Sequence, residues 1–480
     1  MPSQNIFEKL LADLLYRVAP DILLYRLFTR TDSFIRAVFL SSTSFPNWPQ
    51  LTQLCPAISQ PHREQPGSTS PRSTTSWDVA KFAASSRALI LLLQFLFNYF
   101  IQDYNADAFR SPLIILESKR WSLSDRVVHT LLEGLTRWDS QYFLHIAQFG
   151  YTYEHMTAFF PGYPYLARIL AQAFEDVLGD ILSPSSWVLI SCVLVTHVSF
   201  VLSAVALFYL TQLMFDDRHL PMQVVKMYSF NPASIFFASC YTESLFAFVT
   251  FSGLYLLEKE YDTLATVMFA IGSVTRSNAS LVPIFYLEKA WRRYQRGKYA
   301  FSLLIRAGFA CLGNVIVQLY FWDSFCFPHQ QPKAVKEVRL YAAEMGYKQI
   351  GINASEWCFY RLPFSYSFVQ AKYWNVGFFK YWQLKQTPNF LLALPVIVFV
   401  AHFCRLYYKR LASYCLHAAI LSAICVFFAN IQVATRILIS ASPVPLWAAA
   451  KSEKRNLVWA YFLLYFILGL ILHTNFFPWT

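Results

Sequence analysis

The sequence predicts an all-α polytopic membrane protein, and three observations carry that prediction. Of 480 residues, 56% are hydrophobic and only 14% charged, whereas soluble chains are about one quarter charged. Several apolar runs reach the roughly 20 residues that a helix needs to cross a bilayer. Lys and Arg gather in short loops between those runs, at KAWRRYQRGKY (289–299), RLYYKR (405–410) and KSEKR (451–455), the asymmetry that orients membrane helices. The net charge of +12 therefore speaks for topology. No basic stripe with interleaved aromatics points to nucleic acid.

Taken in order, residues 1–78 stand apart as an N-terminal extension. LLADLLYRVAPDILLYRLF reads as one or two amphipathic helices, and Ser41–Ser76 is rich in Ser, Thr and Pro, a composition of disorder. No signal peptide with a short apolar region and small-residue cleavage site is evident. Residues 79–480 form the membrane domain. Its first span, about 84–101, has Lys81 and Arg87 on its leading side. Further apolar stretches lie near 162–178, 187–214, 222–258, 263–288, 303–325, 388–404, 413–430, 436–450 and 456–473. Placing the three basic loops in the cytosol puts 326–387, 431–436 and the terminal HTNFFPWT on the opposite side, and a cytosolic Lys81 and Arg87 put 102–161 there too. The two halves agree if 222–258 crosses twice and 263–288 once, which gives about 11 helices.

Polar residues in such a chain are expensive and mark function. RWDSQYFLHIAQFGYTYEHMTAFFPGYP, residues 137–164, holds Arg137, Trp138, Asp139, Glu154 and His155. Asp139 has two readings: a general base at the membrane surface, or the N-cap of the helix that follows. Glu154 and His155 either bind sugar hydroxyls or pair with Arg137 to hold the loop. Arg276 and Arg436 are single arginines in apolar sequence. Each is suited to a phosphodiester, whose geometry guanidinium matches, or to an internal ion pair with an acid such as Glu243. Asn231-Pro232 breaks a helix, which lipid does not tolerate unless protein or a cavity surrounds the break. Residues 357–390 offer Trp374 and Asn375 on an aromatic, basic surface that fits a glycan or an interfacial belt.

Nine cysteines show no metal-ligand spacing, and no cofactor is identified. Whether a divalent metal assists is left open by the residues. Cys326 and Cys358 share one polar loop, where an oxidising compartment permits a disulfide. Asn353-Ala-Ser355 is a glycosylation sequon. No Walker A loop, H-E-x-x-H or G-x-S-x-G occurs, which disfavours ATP-driven pumps and serine or zinc hydrolases.

The blocks RWDSQYFLHIAQFGYTYEHMTAFFPGYP, SFNPASIFFASCYTESLFAF, TRSNA, PFSYSFVQAKYWNVGFFKYWQLKQTPNFLLALP, IQVATRILISASPVPLW and LHTNFFPWT resemble the phosphatidylinositol-glycan class V family of the GT-C superfamily. They fall in order over about 79–480. The resemblance implies a GT-C glycosyltransferase in the endoplasmic reticulum membrane, its active site on luminal loops. It implies mannose transfer, with inversion, from dolichol-phosphate-mannose to a Man-GlcN-(acyl)phosphatidylinositol glycolipid, forming the α1,6-linked second mannose of the GPI anchor. Asp139 of the R-W-D block takes the role of base. Arg137, Trp138, Glu154, His155, Arg276, Trp374, Asn375, Gln432 and Arg436 become the candidate substrate contacts, and a small accessory subunit is compatible. Two alternatives stay open: another dolichol-phosphate-mannose-dependent GT-C mannosyltransferase, and a glycolipid transporter.

Overall fold

The computed structural model describes residues 74–327, 336–350 and 354–478. Apart from one antiparallel bridge between Tyr153 and Gln349, its regular structure is helical. From Val79 onward these residues form one compact unit. Most of the expected extension 1–78, its amphipathic helices included, lies outside the described residues, as does Asn353 of the sequon.

Among the described residues, eighteen α-helices follow one another. The long helix α1 (Ser76–Phe100) leads into short helices α2 (Pro112–Ser118), α3 (Leu123–Leu132) and α4 (Ser140–Phe149). Local chemistry sets their ends. Ser122 and Asp125 cap α3 reciprocally, satisfying two of the donors that a helix start leaves free. Gly150 ends α4 with a φ of +80°, where a side chain would be strained. Then come α5 (Gly162–Leu178), α6 (Pro184–Met214), α7 (Leu220–Ser229), α8 (Glu243–Glu258), α9 (Asp262–Thr275), α10 (Pro283–Gln295) and α11 (Phe301–Cys326). The second half holds α12 (Lys336–Met345), α13 (Ser365–Trp374), α14 (Thr387–Tyr407), α15 (Ala412–Phe427), α16 (Ala434–Ala441), α17 (Val444–Ala450) and α18 (Arg455–Thr474).

Helices α6, α8, α9 and α11 pack side by side as the centre of the bundle. Small residues let the backbones approach, as they do between membrane helices. A Cβ at Gly162 would lie 2.9 Å from the Val274 carbonyl oxygen.

The chain is thus all-helical and crosses a membrane several times, as the apolar runs predict. Among the described residues, five helices are long and apolar enough to span by themselves: α1, α6, α11, α18 and α14 with the turn before it. The pair α16–α17, bent by 86°, brings the number to six. The remaining apolar runs are divided rather than continuous. The run 222–258 is cut by a buried, non-helical stretch from Phe230 to Thr242, and 263–288 by the extended residue Arg276. Asn231 stabilises the first break, its side chain bonding both the Tyr228 carbonyl and the Ala233 N–H. Breaks of this kind persist at membrane depth only where protein surrounds them, and Asn231 is fully buried.

The polar loops pack as a second layer. Their core gathers Phe109, Tyr151, Tyr153, Phe160, Phe321, Phe325 and Trp357. Cys326, at the end of α11, is disulfide-bonded to Cys358 across a sequence separation of 32, which ties the loop after α11 back to that helix.

Candidate active site

The site is assembled where three broken or short elements meet. Between a 3-10 turn at Glu133–Leu135 and α4, Trp138 adopts a left-handed φ of 56°, a conformation that costs a non-glycine residue roughly 1–2 kcal/mol. Trp138 and Asp139 then both line a cavity of about 300 Å³. Asp139 occupies the N-cap of α4, yet its carboxylate makes no capping bond. Its Oδ2 instead accepts from Nη1 of Arg436 at 2.9 Å, with Nη2 of the same guanidinium also 2.9 Å away. Oδ1 has no partner among the described residues, and the side chain is 28% exposed. The backbone N–H of Asp139 donates to the Tyr241 hydroxyl at 3.0 Å.

Arg436 stands in the first turn of α16, the first arm of the bent pair, and also lines the cavity. Phe236 and Tyr241 lie under its guanidinium at 4.9 and 5.4 Å. Behind it is Glu243, buried at the start of α8, where the positive end of the helix favours a carboxylate. Glu243 Oε1 lies 3.8 Å from Arg436 Nε and 2.7 Å from Arg276 Nη1. Two carboxylates and two arginines thus alternate from the cavity inward: Asp139, Arg436, Glu243, Arg276. Arg276, whose Nη1 also bonds the Thr242 hydroxyl, takes the internal ion pair with Glu243 that the sequence left as one of its two options. Arg436 alone of the two arginines reaches the cavity wall.

Gln432 is on that wall too. Its Oε1 accepts from the Tyr381 hydroxyl at 2.9 Å, and Asn389 Nδ2 donates to Tyr381 at 2.9 Å and to Gln386 at 2.8 Å. This relay fixes the amide orientations of two cavity residues, Gln432 and Asn389.

The other sequence-predicted residues stand elsewhere. Arg137 is buried and spends its donors on Thr474 O, Glu133, Asn98 and Asp103. It therefore binds neither Glu154 nor His155, and the expected loop-holding pair is corrected. Glu154, wholly buried, accepts from Lys372 at 3.2 Å and from the Tyr373 hydroxyl at 2.7 Å. Burial, and then this bond to a carboxylate, push the Tyr373 phenol well above its usual range. His155 stacks on Tyr153 and sits 4.2 Å from the Tyr347 ring, with Trp374 at 6.5 Å. Burial lowers its imidazole to about 3. Asn375 ends α13 in a left-handed conformation, a backbone task that asparagine tolerates well. Glu154, His155, Trp374 and Asn375 form a group of their own and are not part of the cavity lining.

Residues 76–415 match the family model described as Mannosyltransferase (PIG-V). The chain belongs to the PIG-V mannosyltransferase family. It is 34% identical over 453 residues to GPI mannosyltransferase 2 of Drosophila pseudoobscura pseudoobscura, covering 84% of this chain and 99% of that one. With GPI alpha-1,6-mannosyltransferase 2 of Mus musculus it shares 33% identity over 489 residues, covering 84% and 98%. The Homo sapiens protein of the same name is 31% identical over 496 residues, covering 85% and 100%.

The cavity thus sets a partly exposed carboxylate beside a fixed cation. Charge at a reacting centre is stabilised best by groups held in place before it develops. Sequence reasoning missed Phe236, Tyr241, Asn389 and His473, all cavity residues. Each lies inside a block that carries the family resemblance, but none has a local pattern that marks it. Only their convergence in space does.

Proposed function

We propose that the chain adds the second, α1,6-linked mannose in GPI-anchor biosynthesis. The donor is dolichol-phosphate-mannose and the acceptor a Man-GlcN-(acyl)phosphatidylinositol glycolipid. The observation that carries the mechanism is the Asp139 carboxylate, uncapped and cavity-facing, with Arg436 against one of its two oxygens. Asp139 Oδ1 accepts the proton of the acceptor hydroxyl as its oxygen attacks C1 of mannose. The C1–O bond to phosphate breaks with inversion, and dolichol phosphate leaves carrying the electron pair. Arg436 meets the negative charge that grows on this leaving group. Phosphate needs little protonation to leave, so a single base suffices. Glu243 and Arg276 hold Arg436 in position from behind, and Arg137 holds the turn that aims Trp138 and Asp139. Trp138 and Gln432 flank the mannose, while Trp374 and Asn375 receive the acceptor glycan over the buried Glu154 and His155, which support that surface.

The fold reading is of GT-C type, with residues 1–78 a cytosolic extension and 79–480 the transferase domain. About eleven passes result if the shorter and divided apolar helices cross as well. The cavity then opens on the luminal side of the endoplasmic reticulum membrane, where lipid tails stay in the bilayer and headgroups meet. The Cys326–Cys358 disulfide supports an oxidising compartment for that side.

Complementation of cells lacking the second GPI mannose, with wild type and Asp139→Asn in parallel, tests the proposal. Wild type restores GPI-anchored surface proteins, and Asp139→Asn lowers transfer by about 10²-fold or more. Equal rescue by the Asn variant excludes Asp139 as base. Failure of a stably inserted wild-type chain excludes the substrate assignment.

A further inference from the structure

His473 lies near the end of α18, on the wall of the same cavity as Asp139 and Arg436. Its side chain is fully buried, yet neither ring nitrogen has a hydrogen-bond partner among the described residues. The Gly134 carbonyl lies beside the ring, short of hydrogen-bond geometry. The imidazole is not loose filler: it meets Phe236 edge-on at 5.3 Å and Tyr241 at 5.7 Å, both of which also lie beneath the Arg436 guanidinium. Two aromatic rings therefore hold the imidazole and the arginine in a fixed relation.

Buried polar groups in folded proteins are almost always bonded. A wall position that needs only volume and an aromatic face would be met by Phe, without the cost of orphaned nitrogens. A neutral imidazole offers one N–H donor and one acceptor on diverging edges of the ring, so a single sugar hydroxyl completes one of the two bonds, and the Gly134 carbonyl is the group beside the ring for the other.

We propose that His473 is a specificity-determining residue that reads one sugar hydroxyl in the cavity, belonging to either the donor mannose or the acceptor glycan. This inference rests on the cavity being the transfer site. His473 need not touch the reacting atoms. Its contribution is discrimination: a sugar lacking the hydroxyl would leave that nitrogen unbonded again.

The test measures kcat/KM in detergent-solubilised full-length enzyme, for wild type, His473→Phe and His473→Gln. Each is assayed with dolichol-phosphate-mannose, with donors in which one mannose hydroxyl at a time is replaced by hydrogen, and with acceptors modified likewise. Wild type is expected to lose about tenfold, the worth of one neutral hydrogen bond, on the substrate lacking the read hydroxyl. His473→Phe should lose a similar factor on the complete substrates and nothing further on that one analogue. His473→Gln, which keeps a donor and an acceptor, should recover part of the loss. The donor and acceptor series show which sugar is read. If the deoxy penalties are the same in wild type and variant, or if His473→Phe matches wild type throughout, the inference fails. Should His473→Phe not fold, the Gln variant with the same analogues decides, since it too must shift the penalty at one hydroxyl only. Asp139→Asn run in parallel separates the two claims. If it is inert the cavity reading stands whatever His473 does, and if it is active that reading falls first.

Discussion

Asp139 is marked out by what it does not bond. Its position before an apolar-periodic run made a helix cap and a base equally readable from sequence. The structure leaves the cap bond unmade and presents the carboxylate to Arg436. Arg436→Lys keeps the charge but loses the fork that contacts Asp139 with two nitrogens and faces Glu243 with the third. We expect kcat to fall about 10- to 100-fold with little change in KM, measured by mannose transfer in detergent. Glu243→Gln removes the acid that both arginines share, leaving buried positive charge uncompensated. Breaking a buried pair in this way costs about 3–5 kcal/mol, and a lower unfolding midpoint of the purified protein should report it.

His155 gives a pH dependence with a definite sign. Burial holds its imidazole at about 3 in the folded protein, against an ordinary value near 6.5. Below pH 6.5 the unfolded chain takes up a proton that the folded chain does not. Stability is therefore fully present above pH 6.5 and declines as pH falls toward 3. His145, held near 3 by its own burial and then by the charge of His155, adds to the same slope. Thermal midpoints across pH 4–7 should show the decline, and His155→Phe should flatten it.

At the scale of elements, hydropathy made the long spans legible, because burial in lipid and burial in protein select the same residues. α1, α6, α11, α14 and α18 all lie where apolar runs predicted them. The breaks were harder to read. Asn231-Pro232 announced one, but the unwinding at Arg276 and the bend at Ser442-Pro443 depend on what packs around them. Those breaks matter most, since each lies close to a charge of the site: Glu243 starts the helix after the first, Arg276 forms the second, and Arg436 precedes the third. Close helix contacts were equally hidden. Gly162→Ala would press a methyl group against Val274 and Thr275, and overpacking of this order costs about 1–3 kcal/mol. A lowered midpoint without altered KM is the expected outcome.

At the scale of the molecule, the charges of the site could not be found together from sequence, because Asp139 and Arg436 are 297 residues apart. Their assembly depends on loops and ends that are tied down elsewhere. The Cys326–Cys358 disulfide is one tie. Closing a loop of about this length is worth roughly 3–4 kcal/mol in the chain-entropy account. Cys326→Ser with Cys358→Ser should therefore raise protease sensitivity between 327 and 357 before activity is lost.

The other tie is the contact of Arg137 with the Thr474 carbonyl across 337 residues, joined by Tyr104 N–H on the Asn475 carbonyl. His473 and Pro478 complete the wall that Trp138 and Asp139 begin. Translation delivers these pieces in reverse order of need. The carboxylate enters the membrane early and waits through most of the chain's synthesis for the segment that closes around it. A nascent or prematurely terminated chain thus carries the carboxylate without the wall that encloses it, and the cavity exists only once the protein is complete.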